Sequence, residues 1–386
     1  MRVDPLLGGN GALEALIEAV HLRGMRLILD GVFNHCGRGF WAFHHLLENG
    51  RDSPYRDWFH VEQWPLNPYP EPGKSSGYQC WWNDPALAKF RHDHPPVRRH
   101  LLEVARTWIS AAVDGWRLDV PDEVPADFWR AFRQTVRAVN PEAWIVGEIW
   151  GDARPWLSGD QFDGVMNYPL VWGILGYFGA ASVRSELKLA ALPDNPYQPL
   201  DRAGFEQRIC EVLGRHAPAV NRCMLNLLDS HDTPRALHVL NGDEAALRLC
   251  LLFLFLLPGA PCVYYGTEMG LDGGAEPGCR EGYPWESTRR DLADWLRDLA
   301  ALRRSLPALR SAALHFLDSG HEDLLLLRRG ESKERVWVAI NRGEAPQPLS
   351  PPTPGRPPLW RSVSATDADT TFLAGRSTLI VADPVP

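Results

Sequence analysis

The sequence predicts an α/β fold in which parallel strands alternate with helices, with a long insertion near the start and an all-β tail. Three observations carry this. Short apolar runs ending in polar residues alternate with stretches of helical spacing. Residues 36–93 are irregular, rich in Pro, Gly, Trp and Tyr, and too long for a simple loop. Beyond Pro307, short β-type runs separated by Gly, Pro and Ser take over. Strand–helix alternation implies βαβ crossovers and helices outside a parallel sheet. Four of the strands end in polar groups and no Gly-rich phosphate loop appears. That favours a TIM-type (β/α)8 barrel, whose strand ends converge on one mouth, over a doubly wound sheet, where only the switch point gathers residues.

The elements follow in order. Leu13, Leu16, Ile17 and Val20 make 12–25 a helix that Gly24 ends, and 26–33 a buried strand running into Asn34-His35. Leu101, Ala105, Trp108, Ile109 and Ala112 share one face of a helix over 97–112. The strand 115–119 comes next. Phe128, Trp129, Phe132, Val136 and Val139 mark a helix stopped by Asn140-Pro141. Strands are expected at 144–148, 162–166, 223–228 and 261–265, and helices near 180–190, 204–213, 243–257 and 292–304. The β-type runs are 314–317, 324–328, 336–340, 360–363 and 378–381. The organisation expected is a barrel over 1–35 and 94–306, an inserted lid over 36–93 and a C-terminal β-sandwich over 307–386.

Bulk composition narrows the function. The chain has 386 residues, 45% hydrophobic and 23% charged, with net charge -8. No basic block appears, which argues against nucleic acid and anionic membrane as partners. Seven scattered cysteines without a CxxC read as reduced thiols of a cytoplasmic protein. Met1-Arg2-Val3-Asp4-Pro5 carries no apolar signal-peptide core. The most apolar run, 249–257, is too short to span a bilayer. Sixteen tryptophans lean slightly toward carbohydrate, since indole faces stack on the C–H faces of sugar rings as well as filling cores.

The chemistry is carried by acidic strand ends. In the extended stretch Gly115-Trp116-Arg117-Leu118-Asp119-Val120, Arg117 and Asp119 lie two apart and face the same side. A guanidinium beside a carboxylate keeps it ionised, as a nucleophile requires, although a structural ion pair would look the same. Glu148, between Gly147 and Ile149-Trp150, has apolar neighbours that favour a raised pKa and an acid role. Asp232 follows His231 and offers a third anionic group. Two carboxyl groups flanking a glycosidic bond can cleave it. His35, His231, Asp119, Glu148 and Asp232 are also metal-ligand types, but they stand in no HxH or HExxH spacing, so no metal is expected.

At this point four stretches resemble, in order and spacing, the signature regions of the α-amylase family of glycoside hydrolases. They are Asp30-Gly31-Val32-Phe33-Asn34-His35, Gly115 to Val120, Gly147-Glu148-Ile149-Trp150 and Leu228-Asp229-Ser230-His231-Asp232-Thr233. Tyr55 to His60, Gly159 to Pro169 and Pro261 to Glu268 look like the neopullulanase, cyclomaltodextrinase and maltogenic amylase subgroup. The resemblance covers about residues 3 to 315. It implies a retaining α-glucan hydrolase acting on α-1,4 and α-1,6 bonds of cyclodextrins, pullulan or maltooligosaccharides. Asp119 would be the nucleophile, Glu148 the general acid and then base, and Asp232 the residue that distorts the sugar. His35, Arg117 and His231 would bind the sugar beside the cleaved bond. The family's Asp-Pro-x-Cys-Arg stretch appears as Glu276-Pro277-Gly278-Cys279-Arg280, so Arg280 carries over while Glu276 replaces Asp. The tail of the second region is Val120-Pro121-Asp122-Glu123 instead of Val-Ala-Asn-Glu, and the lid's Met-Pro-Lys-Leu-Asn stretch is loosely matched by Leu87-Ala88-Lys89-Phe90-Arg91.

The resemblance also carries an expectation about the start. In the family two barrel strands precede the Asp-Pro-x-x-Gly stretch, which here is Asp4-Pro5-Leu6-Leu7-Gly8. The barrel is therefore expected to lack its first two strands, and with them an aromatic platform and the calcium loop. No cofactor is expected, and no calcium. A homodimer stays open, because the subgroup dimerises through an N-terminal domain. Two other readings stand beside the hydrolase: a truncated, inactive sugar-binding fragment, and α-glucosidase-type specificity.

Overall fold

The computed structural model describes residues 1–189, 196–331, 334–352, 358–362 and 372–383. The chain falls into two compact units, Met1–Val165 and Met166–Pro386. In the first unit, strands Ile28–Val32, Gly115–Asp119, Trp144–Gly147 and Gly164–Val165 form one parallel sheet in that spatial order. Spatial order equals chain order, so the sheet contains no switch point of the doubly wound kind. Among the described residues the sheet does not close on itself. The register places Asp30 beside Arg117, Val32 beside Asp119, and Leu118 beside Gly147.

Helices cross between these strands as their spacing predicts. Helix Pro95–Ser110 buries Val97, Leu101, Ala105 and Ile109, four residues apart, and starts with prolines where no intrahelical donor is needed. Helix Ala126–Val139 buries Phe128, Trp129, Phe132 and Val136. Phe33, at the end of the first strand, meets Phe132 at 5.0 Å and Trp116 at 5.5 Å, both edge-to-face. Trp129 packs on Phe132 and Phe162, so one aromatic cluster joins strands and helix beneath the strand ends.

Residues 36–93 have a core of their own. Strand His35–Gly37 pairs with Leu87–Lys89, and helix Trp41–Asn49 buries Ala42, Phe43 and Leu46. Phe43, Phe59, Tyr78 and Phe90 are all buried, with Phe43 4.9 Å from both Phe59 and Tyr78. This explains why the segment is too long for a loop: its aromatic residues are spent on packing.

In the second unit, strands Leu225–Asn226 and Ala260–Pro261 pair in parallel, a shorter pairing than the runs 223–228 and 261–265 suggest. Helices Arg202–Gly214, Glu244–Leu256 and Asp291–Ser305 lie where expected. The helix near 180–190 is not found; a short 3-10 turn, Ala180–Ser182, stands there, and Ala190 lies outside the described residues. The helix is instead Tyr168–Gly179, in which every residue but Pro169 is buried. A helix apolar all round has no polar face to set a period, so its spacing is silent. Gly176 is required there: a Cβ would meet the Gln198 carbonyl at 2.3 Å.

Five strands form an antiparallel sheet in the order Trp360–Arg361, Ser377–Ala382, Val336–Asn341, Leu324–Arg329, Leu314–Leu317. Each coincides with a β-type run, although Val363 lies outside the described residues. Arg329 and Arg303 tie this region to the end of helix Glu244–Leu256. Arg329 donates to the carbonyls of Leu256, Ala313 and Ser311, and Arg303 to those of Phe255, Leu257 and Gly259. The Phe255, Leu256 and Leu257 carbonyls stand at the helix end, where no intrahelical donor reaches them, and the two guanidinium groups satisfy them. Among the described residues no helix is long and apolar enough to cross a membrane.

One buried side chain links the insertion to the first strand. His92 Nε2 lies 2.9 Å from the Phe33 carbonyl, and its ring packs edge-on against Phe128. Burial lowers its pKa from 6.5 to about 4, against the raising effect of the Phe33 carbonyl. Between those values the unfolded chain binds a proton that the folded chain does not, so stability falls as pH falls through this window, by on the order of 3 kcal/mol. His92→Gln, which keeps a donor for Phe33, should flatten the fall of melting temperature between pH 6.5 and 4. Parallel curves for the two proteins would contradict this.

Candidate active site

The first unit gathers acidic groups around one cation. Arg117 Nη1 donates to Asp30 at 2.8 and 3.0 Å and to Asp119 Oδ1 at 3.0 Å. Its Nη2 lies 2.6 Å from Glu148 Oε2. Arg117 and Asp119 do face one way, as their two-residue spacing requires. Burial alone would lower the guanidinium's pKa; Glu148, Asp30 and Asp119 outweigh it and hold the pKa above its ordinary value. Glu148 is 5% exposed, which matches the apolar neighbours read from the sequence, but it is paired with Arg117. The strand register brings Arg117 across to it, which local sequence cannot show.

The backbone around Asp119 is held on several sides. Val120 adopts φ 42, ψ 50, a left-handed conformation that a β-branched residue rarely takes. The next carbonyl, that of Pro121, accepts from Trp129 Nε1 at 2.8 Å. Gly147 must be glycine, because a Cβ would meet the Phe162 ring at 2.9 Å and Pro121 Cγ at 3.2 Å. Glu148 N donates to the Leu118 carbonyl at 2.9 Å, which fixes the Glu148 backbone beside the strand that carries Asp119. The strain after Asp119 is therefore maintained by packing.

His35 is buried and pairs in register with Lys89. Burial lowers its pKa, more than Asp119 and Glu123 raise it. It is thus a neutral imidazole near neutral pH, able to donate from one nitrogen and accept at the other. Lys89 reaches Glu123 at 2.8 Å, joining the loosely matched lid stretch to the altered tail of the second region.

The second unit holds the other four expected residues together. His231 Nε2 lies 3.1 Å from Asp232 Oδ2, and Arg280 Nη2 lies 3.0 Å from both Asp232 Oδ1 and Glu276 Oε1. Arg280 Nε also donates to the His231 carbonyl at 2.9 Å. Glu276 therefore shares Arg280 with Asp232. The loop that carries them is fixed by Asp229, a buried carboxylate accepting from Ala236 N at 2.9 Å and Thr267 Oγ1 at 2.8 Å. Burial raises its pKa against these two donors.

Sequence reasoning missed two acids. Asp30 carries a sequence signal as the lone charge inside the apolar strand Ile28–Val32, but only the strand register puts it across from Arg117. Asp229 left no comparable signal, since its neighbour Asp232 has the same chemistry and is far less buried.

A parallel sheet in chain order with acidic groups at its strand ends fits a barrel enzyme, and the chain's relatives define the class further. The chain belongs to the alpha-amylase family: the model described as Alpha amylase, catalytic domain, matches residues 1–298. It is 40% identical to a cyclomaltodextrinase from Geobacillus thermopakistaniensis over 355 residues, covering 90% of this chain and 57% of that protein. It is 36% identical to neopullulanase 2 from Thermoactinomyces vulgaris, covering 89% of this chain and 56% of that protein. The chain thus spans just over half the length of these curated relatives. The solved debranching enzyme of Nostoc punctiforme matches with TM-score 0.90 and 39% identity, over 99% of this chain and 81% of that one. The family and this structure place the fold in the TIM-barrel class, although the strands of the described residues do not close.

Removing the shared cation tests its structural weight. Arg117→Met leaves Glu148 buried without its guanidinium and should cost about 3–5 kcal/mol, read as a lowered melting temperature. Adding Glu148→Gln should recover part of the loss. A single variant that melts with the parent would show that Arg117 does not sustain the cluster.

Proposed function

We propose that this chain carries the catalytic machinery of a retaining α-glucan hydrolase acting on cyclodextrins, pullulan or maltooligosaccharides. The observation that carries the reading is Arg117, which holds Asp119 and Glu148 side by side at the ends of adjoining strands. The family and the names of the relatives, cyclomaltodextrinase and neopullulanase, supply the substrate class. Cleavage of α-1,6 bonds is included because similar structures are a debranching enzyme and a cyclic α-maltosyl-(1→6)-maltose hydrolase from Arthrobacter globiformis. A cytoplasmic location fits a relative named intracellular maltogenic amylase from Bacillus subtilis, 36% identical over 90% of this chain.

In the first step an Asp119 oxygen attacks the anomeric carbon while the bond to the glycosidic oxygen breaks. Glu148 gives its proton to that departing oxygen, and a glycosyl ester forms on Asp119. In the second step Glu148 takes a proton from water, the water oxygen bonds to the same carbon, and the ester breaks. Two inversions retain the configuration. By the family resemblance Asp232 stabilises the oxocarbenium-like charge. His35, Arg117, His231, Glu276 and Arg280 hold the sugar. Arg117 donates to Asp119 Oδ1 and fixes the orientation of that carboxyl group.

Two substitutions test the roles. Asp119→Asn should leave the melting temperature near the parent's and reduce turnover of β-cyclodextrin, pullulan and starch on the order of a thousandfold or more. Residual activity within roughly tenfold of the parent would remove it as nucleophile. Glu148→Gln should slow natural glucans by about a hundredfold or more, with partial recovery on aryl glucosides whose leaving groups need no proton. Absence of that recovery would argue against the acid role.

A further inference from the structure

Three flat side chains form a column from the buried His35 to the surface. His35, 7% exposed, stacks on Trp81 with ring centroids 4.9 Å apart and planes 5° from parallel. Trp81 stacks on Trp82 at 5.2 Å and 19°. Trp82 is 64% exposed. At the inner end, Asp119 acts electrostatically on the His35 imidazole. At the outer end an indole is presented to solvent.

That presentation is built against two costs. A large apolar ring exposed to water is unfavourable. The backbone that points it outward is strained as well: Trp82 has φ 50, ψ 26 and Asn83 has φ 56, both left-handed and neither glycine. The turn is pinned by Asp84 N to the Trp81 carbonyl at 2.9 Å and Leu87 N to the Asp84 carbonyl at 2.9 Å. It lies directly before strand Leu87–Lys89, which pairs with His35–Gly37. The indole is therefore held, through one short ribbon, relative to His35.

We propose that the outer face of Trp82 is a stacking platform for a glucosyl unit of a longer α-glucan chain. A sugar ring offers an apolar C–H face that matches an indole, and a rigid indole binds it at little cost in conformational freedom. This inference rests on the α-glucan reading above and adds to it a preference for chain length. The column holds Trp82 two ring spacings out from His35, so chains too short to reach it gain nothing from it.

The test compares Trp82→Ala and Trp82→Phe in the full chain on maltotriose and maltoheptaose. Trp82→Ala should lower kcat/KM for maltoheptaose roughly five- to tenfold through KM, and change maltotriose by less than about twofold. Trp82→Phe should restore most of the loss. Equal loss on both sugars would assign Trp82 to the fold and overturn the proposal; so would no loss on either while the parent cleaves both. A parent that cleaves neither sugar would overturn the glucan reading, and the platform with it.

Discussion

One guanidinium organises the acidic groups of the first unit. Arg117 is largely buried and contacts Asp30, Asp119 and Glu148. Two of those carboxylates are themselves shielded from water, and carboxylates brought together without a cation disfavour their charged forms. The arrangement exists because three adjacent parallel strands put their residues in register. Asp30 and Arg117 are direct partners, and Glu148 follows the last paired residue of the next strand. The chemistry thus depends on the pairing of the sheet, and the pairing depends on the aromatic cluster beneath it.

That cluster does more than bury surface. Trp129 reaches with its indole N–H to the Pro121 carbonyl, one residue past the strained Val120. Phe162 closes against Gly147, where no side chain fits. The same rings that stabilise the helix–sheet contact therefore fix the backbone on either side of Asp119 and Glu148. Strain immediately after a functional carboxylate is kept because its surroundings leave it no relaxed alternative.

The second unit solves a similar problem with different parts. Its loop at 229–236 is anchored from below by the buried Asp229 and from above by Arg280, which grips both the His231 carbonyl and the Asp232 side chain. Glu276, which stands where the family has Asp, is drawn into the same ion pair. The longer acid still meets Arg280, because it lies four residues away in a compact turn. Elsewhere in this unit, Arg303 and Arg329 show the same economy, each serving several backbone carbonyls, among them those of Phe255, Leu256 and Leu257 at one helix end.

Much of this was legible in the residues. Alternation at two residues put Arg117 and Asp119 on one side, and four-residue spacing marked helices Pro95–Ser110 and Ala126–Val139. Both are local periodicities that the backbone imposes on any sequence. Helix Tyr168–Gly179 was not legible, because a segment buried on all sides shows no period. The partner of Glu148 was not legible either: Gly147 and Ile149 describe its neighbours along the chain, whereas Arg117 arrives from 31 positions away through strand register. What the sequence alone determined is which residues carry charge at strand ends and which faces are apolar. Tertiary structure alone decided which charges meet, since an ion pair depends on distance through space and pairing register has no one-dimensional signature.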